Sequence, residues 1–264
     1  MSRASLRITR SAILLAAILP CAALPARAAD HLTAAQVRSA VAGATTGKAD
    51  LSGRDMSGDD LNGLNLSGAD LSGANLSGAN LHGVKLVDAN LTRADLSHAD
   101  LTFTWIMRAD FSHARLHGAT MQSVVTSTGM ENTADQVARF VGADFSDASI
   151  TVHFSYDDMR GANFAGAHMT VNMANQSMGL LRTEFVAAKL DNANFSGAGL
   201  GHVTFRFAKL RGARFNSADL RDADFAGADL SGADFTGANV AGAVFDSATL
   251  TGVKGLGAVP EIGK

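Results

Sequence analysis

Large apolar residues recur at every fifth position over most of this chain, a period that belongs to neither an α-helix nor a flat strand. Two positions before each of these centre residues the residue is mostly Ala, the position between them is mostly Asp or Asn, and Ser and Gly often follow. The centres run from Leu51 to Met121, resume at Phe140, slip by one residue at Phe154, and continue to Leu250 after a ragged stretch. Self-similarity of this kind is typical of a solenoid.

The pattern predicts short straight sides joined by corners. In an extended segment, residues two apart point the same way. The centre and the small residue before it would therefore point inward, and the residue between them, here called the ladder residue, would point outward. The two residues after the centre would form a corner, because Gly accepts backbone angles that other residues avoid. Four sides would close a coil of twenty residues, and about nine to ten coils would stack at roughly 4.8 Å.

The aromatic residues support a four-sided coil. From residue 185 onward the centres alternate between Phe and a smaller aliphatic residue. In a coil of twenty residues, this alternation would stack one column on each of two opposite sides, namely Phe185, Phe205, Phe225 and Phe245, and Phe195, Phe215 and Phe235. Offset stacking of rings is favourable, and large residues that face smaller ones fill a narrow bore. A coil of three or five sides would mix Phe and Leu in every column.

The repeat resembles that of the pentapeptide repeat family, A(D/N)LXX, which this chain carries as ADLSG at 69–73, ANLSG at 74–78 and ADFAG at 223–227. The resemblance extends over residues 49–253. It implies an all-β fold, a right-handed quadrilateral parallel β-helix, and the handedness comes from the resemblance alone. A shared fold does not fix a function, so the family says little about the role of this chain.

Departures from the repeat divide the chain. The predicted units are a signal peptide at 1–28, an N-terminal helical cap at 29–48, a first repeat block at 49–123, an interrupting loop at 124–139, a second repeat block at 140–253 with an irregular part at 153–184, and a C-terminal tail at 254–264. The end of a solenoid exposes backbone groups and apolar side chains and needs a cap. Residues 33–42, with Thr33 as N-cap and Gly43 as the stop, predict a short helix for that purpose.

The N-terminal segment predicts export. A basic stretch, a short apolar run and small residues follow one another, with cleavage expected near Ala28. The apolar run is too short to span a bilayer, so no membrane insertion is expected. We predict a periplasmic location in a Gram-negative bacterium. Cleavage would remove Cys21, the only cysteine, and four Arg, which changes the net charge from −3 to −7 and leaves a chain without disulfides.

The stretch LTFTWIMRAD at 101–110 is a candidate partner-binding surface. The five-residue register points Thr104 and Ile106 inward, and it points outward Phe103, Trp105, Met107 and Arg108. The only Trp of the chain would then lie on a polar surface, which favours contact with a protein partner or a second copy of the chain. Packing beneath the loop at 122–139 is the alternative.

The charges form bands near the C-terminus. Residues 201–221 hold five basic residues and one acid, and residues 222–246 hold five Asp and no base. Three members of the basic band, Arg206, Arg211 and Arg214, are therefore further candidates for partner binding through complementary charge. The alternative is that these charges keep a repetitive surface soluble.

The favoured function is a non-enzymatic structural or protein-interaction module of the cell envelope. A rod with a filled bore has no evident cleft, and the sequence contains no nucleophile–base pattern, phosphate loop or metal quartet. We therefore predict no catalytic residue, no cofactor and no metal site. The expected partner is an unidentified protein or a second copy of the chain, and no nucleic acid is expected.

Two alternatives stay open. The resemblance implies a DNA-mimicking, topoisomerase-binding protein, since some family members protect DNA gyrase, and the columns Asp50–Asp70–Asn90–Asp110 and Asp60–Asn80–Asp100 would supply spaced carboxylates. Export and the basic band count against it. A copper-binding protein is the other alternative, because His and Met suit copper and crowd the irregular part at His153, His168, Met159, Met169, Met173 and Met178, with His98 and His117 on adjacent coils elsewhere. Most of these Met occupy centre positions, where they simply replace Leu.

Overall fold

The computed structural model describes residues 31–44, 48–128, 133, 135–169 and 182–257. The predicted signal peptide at 1–28, the two residues Met173 and Met178, and most of the C-terminal tail lie outside the described residues. Within the described residues, no helix is both long and apolar enough to cross a membrane.

The chain winds into a four-sided parallel β-helix, as the five-residue period predicts. Parallel bridges join ladder residues that are twenty positions apart in the regular parts, such as Asp50 to Asp70 and Asp55 to Asn75. We number the sides by their first ladder residue: side 1 begins at Asp50, side 2 at Asp55, side 3 at Asp60 and side 4 at Asn65. Side 1 alone stacks ten ladder residues, Asp50, Asp70, Asn90, Asp110, Arg139, Asp158, Lys189, Lys209, Asp229 and Thr249.

Most sides are too short to form a continuous strand, so only two strands are long enough to name. They are β1, Thr120–Gln122, and β2, Ser149–Thr151. These strands lie on side 3 of adjacent coils and pair in parallel, with Met121 opposite Ile150.

Each corner is a tight turn whose second residue has a positive φ. The first residue after the corner donates its backbone N–H to the carbonyl oxygen of the centre residue that precedes the corner, as Ala74 does to Leu71 at 3.0 Å. Gly occupies the positive-φ position at many corners, and sixteen described corners hold another residue there, among them Phe103 and Phe207, both at φ 58. A bulky side chain rarely adopts this conformation, so both aromatic residues stand at costly positions.

The helix α1, Ala34–Gly43, precedes the first coil. Thr33 is its N-cap and forms a capping box with Gln36. Val37 is fully buried in the core, and the N–H of Leu32 donates to the carbonyl oxygen of Asp55 at 2.7 Å. The guanidinium of Arg38 reaches the carbonyl oxygen of Asp60 at 3.4 Å. The helix and the residues before it therefore contact the first coil directly.

The bore is filled as the aromatic alternation predicts. Two columns of stacked Phe occupy opposite sides, with Phe145, Phe164, Phe195, Phe215 and Phe235 on side 2 and Phe154, Phe185, Phe205, Phe225 and Phe245 on side 4. Successive rings within a column are nearly parallel, and rings from the two columns meet edge to face, as Phe215 and Phe225 do at 5.6 Å and 86°. Both arrangements are favourable for aromatic rings.

All three irregularities of the repeat lie at side 4 or at one of its corners. After Val125 the chain leaves the coil, and ladder residues Asp110 and Arg139 pair across 29 positions instead of 20, an excursion of nine extra residues. The corner between Ile150 and Val152 is one residue short. A second excursion follows Met169, and His153 pairs with Glu184 across 31 positions, eleven more than the regular number.

Buried polar side chains occupy inward positions next to two of these irregularities. Asp157 takes the place of the usual inward Ala on side 1, is 1% exposed, and accepts a hydrogen bond from the N–H of Ala138 at 2.8 Å. Thr183 takes the same position on side 4 and donates its hydroxyl to the carbonyl oxygen of Ile150 at 3.0 Å. Ala138 ends the first excursion and Ile150 begins the shortened corner. These side chains therefore satisfy backbone groups where a regular corner is lost.

Candidate functional site

The exposed large hydrophobic residues of the described structure all lie on side 4 or its corners. Trp105 and Val244 are ladder residues of side 4, Phe103 lies at the corner between sides 3 and 4, and Tyr156 and Phe207 lie at the corner between sides 4 and 1. Their exposure ranges from 37% for Trp105 to 59% for Phe207. Sequence analysis predicted Phe103 and Trp105 as exposed, and the structure agrees for both.

Trp105 replaces the Asp or Asn that is common on the other sides. Its backbone stays in the ladder, because its backbone N–H donates to the carbonyl oxygen of Val84 at 2.9 Å. The ammonium of Lys85, one coil away on the same side, lies 5.5 Å from the centre of its ring, which is within cation–π range. The Phe103 ring meets His82 edge on at 5.3 Å. Polar neighbours thus hold the two aromatic rings while leaving much of their surface in solvent.

The prediction for Met107 is wrong, because its side chain is only 3% exposed. The neighbouring corner residue Arg108 donates its N–H to the carbonyl oxygen of Gln136 at 3.1 Å. The chain returning from the first excursion therefore runs alongside this corner and covers Met107. Packing against the loop, the alternative interpretation of this stretch, holds for Met107 and not for Phe103 or Trp105.

Arg108 is exposed as predicted but is engaged with a carboxylate. It bonds Asp88 through two nitrogens, at 2.6 and 2.7 Å. The guanidinium lowers the pKa of Asp88, and Asp88 raises the pKa of Arg108. The pair joins adjacent coils at the corner between sides 4 and 1.

The ladder residues of sides 1, 2 and 3 are mainly Asp and Asn that serve the fold. Asp70 accepts from the N–H of Ser72 at 3.0 Å and from the side-chain amide of Asn90 at 3.0 Å. Asn80 makes the same kind of bond to Asp60 at 2.9 Å. The predicted acidic columns are therefore real, but their carboxylates are tied into turns and stacked amide bonds.

Side 4 has a different ladder chemistry. From the first coil to the shortened corner its ladder residues are Asn65, Lys85, Trp105, Val125 and His153, and none of them is acidic. Its inward residues also differ, since Leu, Val and Thr replace most of the Ala that the other sides use, at Leu64, Val84, Thr104, Val124, Val152, Thr183 and Val203. One of four otherwise similar sides thus departs from the repeat both inside and outside.

A cleft of about 150 Å³ opens on side 4 between two coils. Its lining comes from Ser123, Val124 and Thr126 of one coil, from Thr151, Val152 and His153 of the next, and from Arg182. Within the described residues no bridge joins Val125 to His153, although they are successive ladder residues of this side. The cleft was not predicted, because it depends on where the two excursions and the shortened corner meet.

The basic residues 206, 211 and 214 do not form one patch. Arg206 lies at the corner between sides 4 and 1, Arg211 at the corner between sides 1 and 2, and Arg214 on side 2. Arg206 approaches Asp224 at 3.8 Å and Arg211 bonds Asp229 at 2.6 Å, so these two members of the basic band pair with the acidic band of the next coil. Residues that are close in sequence lie on different sides of a coil, so a cluster of basic residues in the sequence does not form a cluster on the surface.

The features invoked for copper are dispersed. Met159 and Met169 point into the bore and are at most 1% exposed. His98 and His117 do lie on adjacent coils, with ring centres 5.2 Å apart, and His117 contacts the Ser146 hydroxyl at 3.1 Å. The part of the chain that the structure describes holds no group of three or more His, Cys, Asp or Glu placed to bind a metal ion.

Several residues on side 4 or next to its irregularities were missed by the sequence analysis, although the repeat carries a signal for them. Tyr156 and Phe207 occupy the corner position where Gly is usual, as Phe103 does. Asp157 and Thr183 stand two positions before the centres Met159 and Phe185, where Ala is expected. A residue-by-residue comparison with the repeat would have marked all four.

Comparison with protein families identifies the repeat. The family described as pentapeptide repeats, in 8 copies, matches residues 47–83, 74–112 and 85–122, and the family described as a pentapeptide repeat region matches residues 178–254. No curated protein sequence shows a significant match to the chain.

Solved structures with the same repeat are similar to the chain. One is HetL, a pentapeptide repeat protein involved in heterocyst differentiation regulation from the cyanobacterium Nostoc sp. strain PCC 7120, with 24% identity, 84% of this chain and 97% of that chain covered, and a TM-score of 0.38. Another is full-length QnrB1, a plasmid-mediated fluoroquinolone resistance protein, with 18% identity, 74% and 90% covered, and a TM-score of 0.28. A third is a pentapeptide repeat protein from the Arabidopsis thaliana thylakoid lumen, with 27% identity, 53% and 87% covered, and a TM-score of 0.25.

Proposed function

Because the chain belongs to the pentapeptide repeat family, we propose that it is a non-enzymatic protein-interaction module that docks a protein partner on side 4. The observation that carries this proposal is the concentration of exposed Phe, Trp, Tyr and Val on one side of a rod whose other sides carry Asp and Asn. Aromatic residues are enriched in the centres of protein interfaces.

The placement of the aromatic residues supports a role other than folding. Phe103 and Phe207 occupy left-handed corners, which a bulky side chain adopts at a cost of about 1–2 kcal/mol that Gly avoids. Burial does not offset that cost, because half or more of each side chain remains in solvent, 50% for Phe103 and 59% for Phe207. Contact with a partner would offset it. Both excursions emerge on the same side, where loops on a rigid scaffold can add contacts.

The proposal extends to location and architecture. We propose an exported protein of the cell envelope, on the strength of the N-terminal segment, with a right-handed rod of about nine to ten coils. The contacts of Leu32, Val37 and Arg38 with the first coil support a capping role for α1. The partner is then an envelope protein or a second copy of this chain.

Site-specific photocrosslinking tests the docking side. A photoreactive phenylalanine at position 105 or 207 should crosslink one partner of defined mass in envelope extracts, and the same group at Lys189, an exposed ladder residue of side 1, should not. Phe103→Ser combined with Trp105→Ser should abolish the product obtained from position 207. The matched control, Arg115→Ser combined with Lys189→Ser, replaces exposed ladder residues of sides 2 and 1 and should leave that product unchanged. Equal crosslinking from sides 1 and 4 would refute the proposal.

A further inference from the structure

The polar lining residues of the cleft on side 4 are of three chemical kinds. Ser123, Thr126 and Thr151 carry hydroxyl groups, His153 an imidazole and Arg182 a guanidinium. Val124 and Val152 provide apolar lining. The guanidinium can only donate hydrogen bonds, and the hydroxyl and imidazole groups can donate as well as accept, so the cleft can bind an acceptor.

The guanidinium of Arg182 is the group of the cleft that attracts an anion, since Arg182 is the only lining residue with a permanent charge. The ladder of side 4 carries no acid from Asn65 to His153, and the next ladder residue, Glu184, pairs with Arg182 and offsets part of its charge. The other three sides present Asp at several ladder positions and would repel an anion. Glu184 bonds the Nε of Arg182 at 2.9 Å, which orients the guanidinium. An arginine has further N–H groups on its two terminal nitrogens, and a carboxylate can accept from them in pairs.

The size and surroundings of the cleft favour the end of a peptide chain. Its volume of about 150 Å³ is below the roughly 300–1,000 Å³ of sites that enclose drug-sized ligands. It can take an end group with one small side chain. Trp105 pairs with Val125 in the ladder and so lies one coil from the cleft on the same side. Trp105 is therefore within reach of an extended chain that ends in the cleft.

We infer that this cleft binds the C-terminal carboxylate of a partner peptide, with Arg182 as its main cationic contact. The inference rests on the proposed function and names the chemistry by which the partner would be recognised. Capture of a terminal carboxylate by clustered donors is an established mode of peptide recognition.

Titration with small probes tests the inference. The probes are acetyl-Ala-Gly-Val with a free carboxylate, the same peptide as its C-terminal amide, and acetate alone, followed by NMR of the backbone amides of the purified protein. The free peptide should shift the signals of Ser123, Thr151 and His153 and bind at least about tenfold more tightly than the amide. Equal affinity of peptide and amide, or no saturable binding, would overturn the inference. Acetate binding as tight as the peptide would overturn the peptide part and leave a small-anion site.

Three variants separate the roles of the charges. Arg182→Gln should remove the preference for the free carboxylate, and Arg206→Gln, at another arginine of this side that faces a carboxylate, should keep it. Glu184→Gln removes the internal competitor for Arg182 and should tighten binding of the free peptide by about threefold or more. An Arg182→Gln variant that retains the preference, or a Glu184→Gln variant that weakens binding, contradicts the assignment. The titration needs no partner, so its failure alongside successful crosslinking at position 105 removes this ligand and leaves the docking side in place.

Discussion

The carboxylate of Asp157 lies in the bore of the solenoid and accepts a hydrogen bond from the backbone N–H of Ala138 at 2.8 Å. Its second oxygen is buried and has no partner among the described residues. In a regular coil the inward residue is Ala and its N–H closes the preceding corner. Ala138 follows the first excursion, so the side chain of the next coil supplies the acceptor that the lost corner would have provided.

Asp157 should make stability fall as the pH rises. Burial raises the pKa of Asp157 well above 3.8, and the bond from Ala138 lowers it only in part. A carboxyl with a raised folded-state pKa binds its proton more tightly when folded, so its contribution is complete below the unfolded-state pKa and is lost as the pH rises through the folded-state pKa. Asp157→Asn keeps an oxygen acceptor and cannot ionise. The free energy of unfolding of this variant minus that of the wild type, both measured by urea titration, should increase with pH by up to about 1.4 kcal/mol per pH unit.

The adjacent Asp158 provides a control of opposite sign. Hydrogen bonds from Arg160 lower its pKa, so its contribution is present above the unfolded-state pKa and is lost as the pH falls through the folded-state pKa. The free energy of unfolding of Asp158→Asn, relative to that of the wild type, should therefore increase as the pH falls. If the difference between Asp157→Asn and the wild type does not change with pH, the carboxylate does not titrate as its burial requires.

The hydroxyl of Thr183 should contribute more to the free energy of unfolding than the hydroxyl of Thr104. Both side chains are inward on side 4 and fully buried. The carbonyl oxygen of Leu101 accepts both the hydroxyl of Thr104 at 2.7 Å and its N–H at 3.1 Å. The carbonyl oxygen of Ile150 lies at the shortened corner and accepts from Thr183. Thr183→Val should lower the free energy of unfolding by about 1–3 kcal/mol, the cost of an unsatisfied buried group, and Thr104→Val by less. Chemical denaturation of the two variants decides this, and equal losses would disprove the corner argument.

The Phe columns should be most sensitive in their interior. Phe215 stacks on Phe195 and Phe235, at 5.0 and 4.8 Å, and meets two more rings edge to face. Phe215→Ala should cost about 3–5 kcal/mol, with loss of hydrogen-exchange protection centred on the adjacent coils. Phe245 ends its column and contacts only Phe225 and Phe235 among the described rings. Phe245→Ala should therefore cost less, and a larger loss there than at position 215 would contradict this packing.

Replacement of Phe103 should separate backbone strain from loss of the ring. Both Phe103→Gly and Phe103→Ala remove the ring, but φ at this corner is 58, which Gly adopts without penalty. The Gly variant should exceed the Ala variant in unfolding free energy by about 1 kcal/mol. Thermal unfolding compares the two directly. Both variants should also lose the crosslink to the partner that is obtained from position 207, because the exposed ring of Phe103 is absent in each. An Ala variant as stable as the Gly variant would mean that the corner is not strained.

Much of the fold was predictable because it depends on local spacing. The period of five defines inward, outward and corner positions, and the alternation of Phe defines which sides face each other. These inferences need only the rule that residues two apart point the same way. The slip at Phe154 changes the count by one and leaves the columns intact, so Phe145 and Phe164 still stack, at 4.7 Å.

The candidate site was predictable only where it follows the same rule. Phe103 and Trp105 are exposed by register, whereas Met107 is covered by chain that returns from an excursion, which register does not describe. The partners of Arg206 and Arg211 lie eighteen positions further on, at Asp224 and Asp229, because the residue after each centre reaches the ladder residue of the next coil. The cleft required the exit and return points of two excursions, and these depend on packing that a repeat count does not contain.

The stacking of coils, which is continuous along sides 1, 2 and 3, makes the rod a molecular ruler. Trp105 and Phe207 are four coils apart along side 4, so the distance between their levels is about 19 Å, four times the strand spacing. A partner that uses both must present two apolar contacts at that separation. Removal of residues 185–204, one complete coil, would shorten the interval by about 4.8 Å and leave both aromatic residues on the same side. The number of coils, rather than any single side chain, therefore sets which partner geometries the protein accepts.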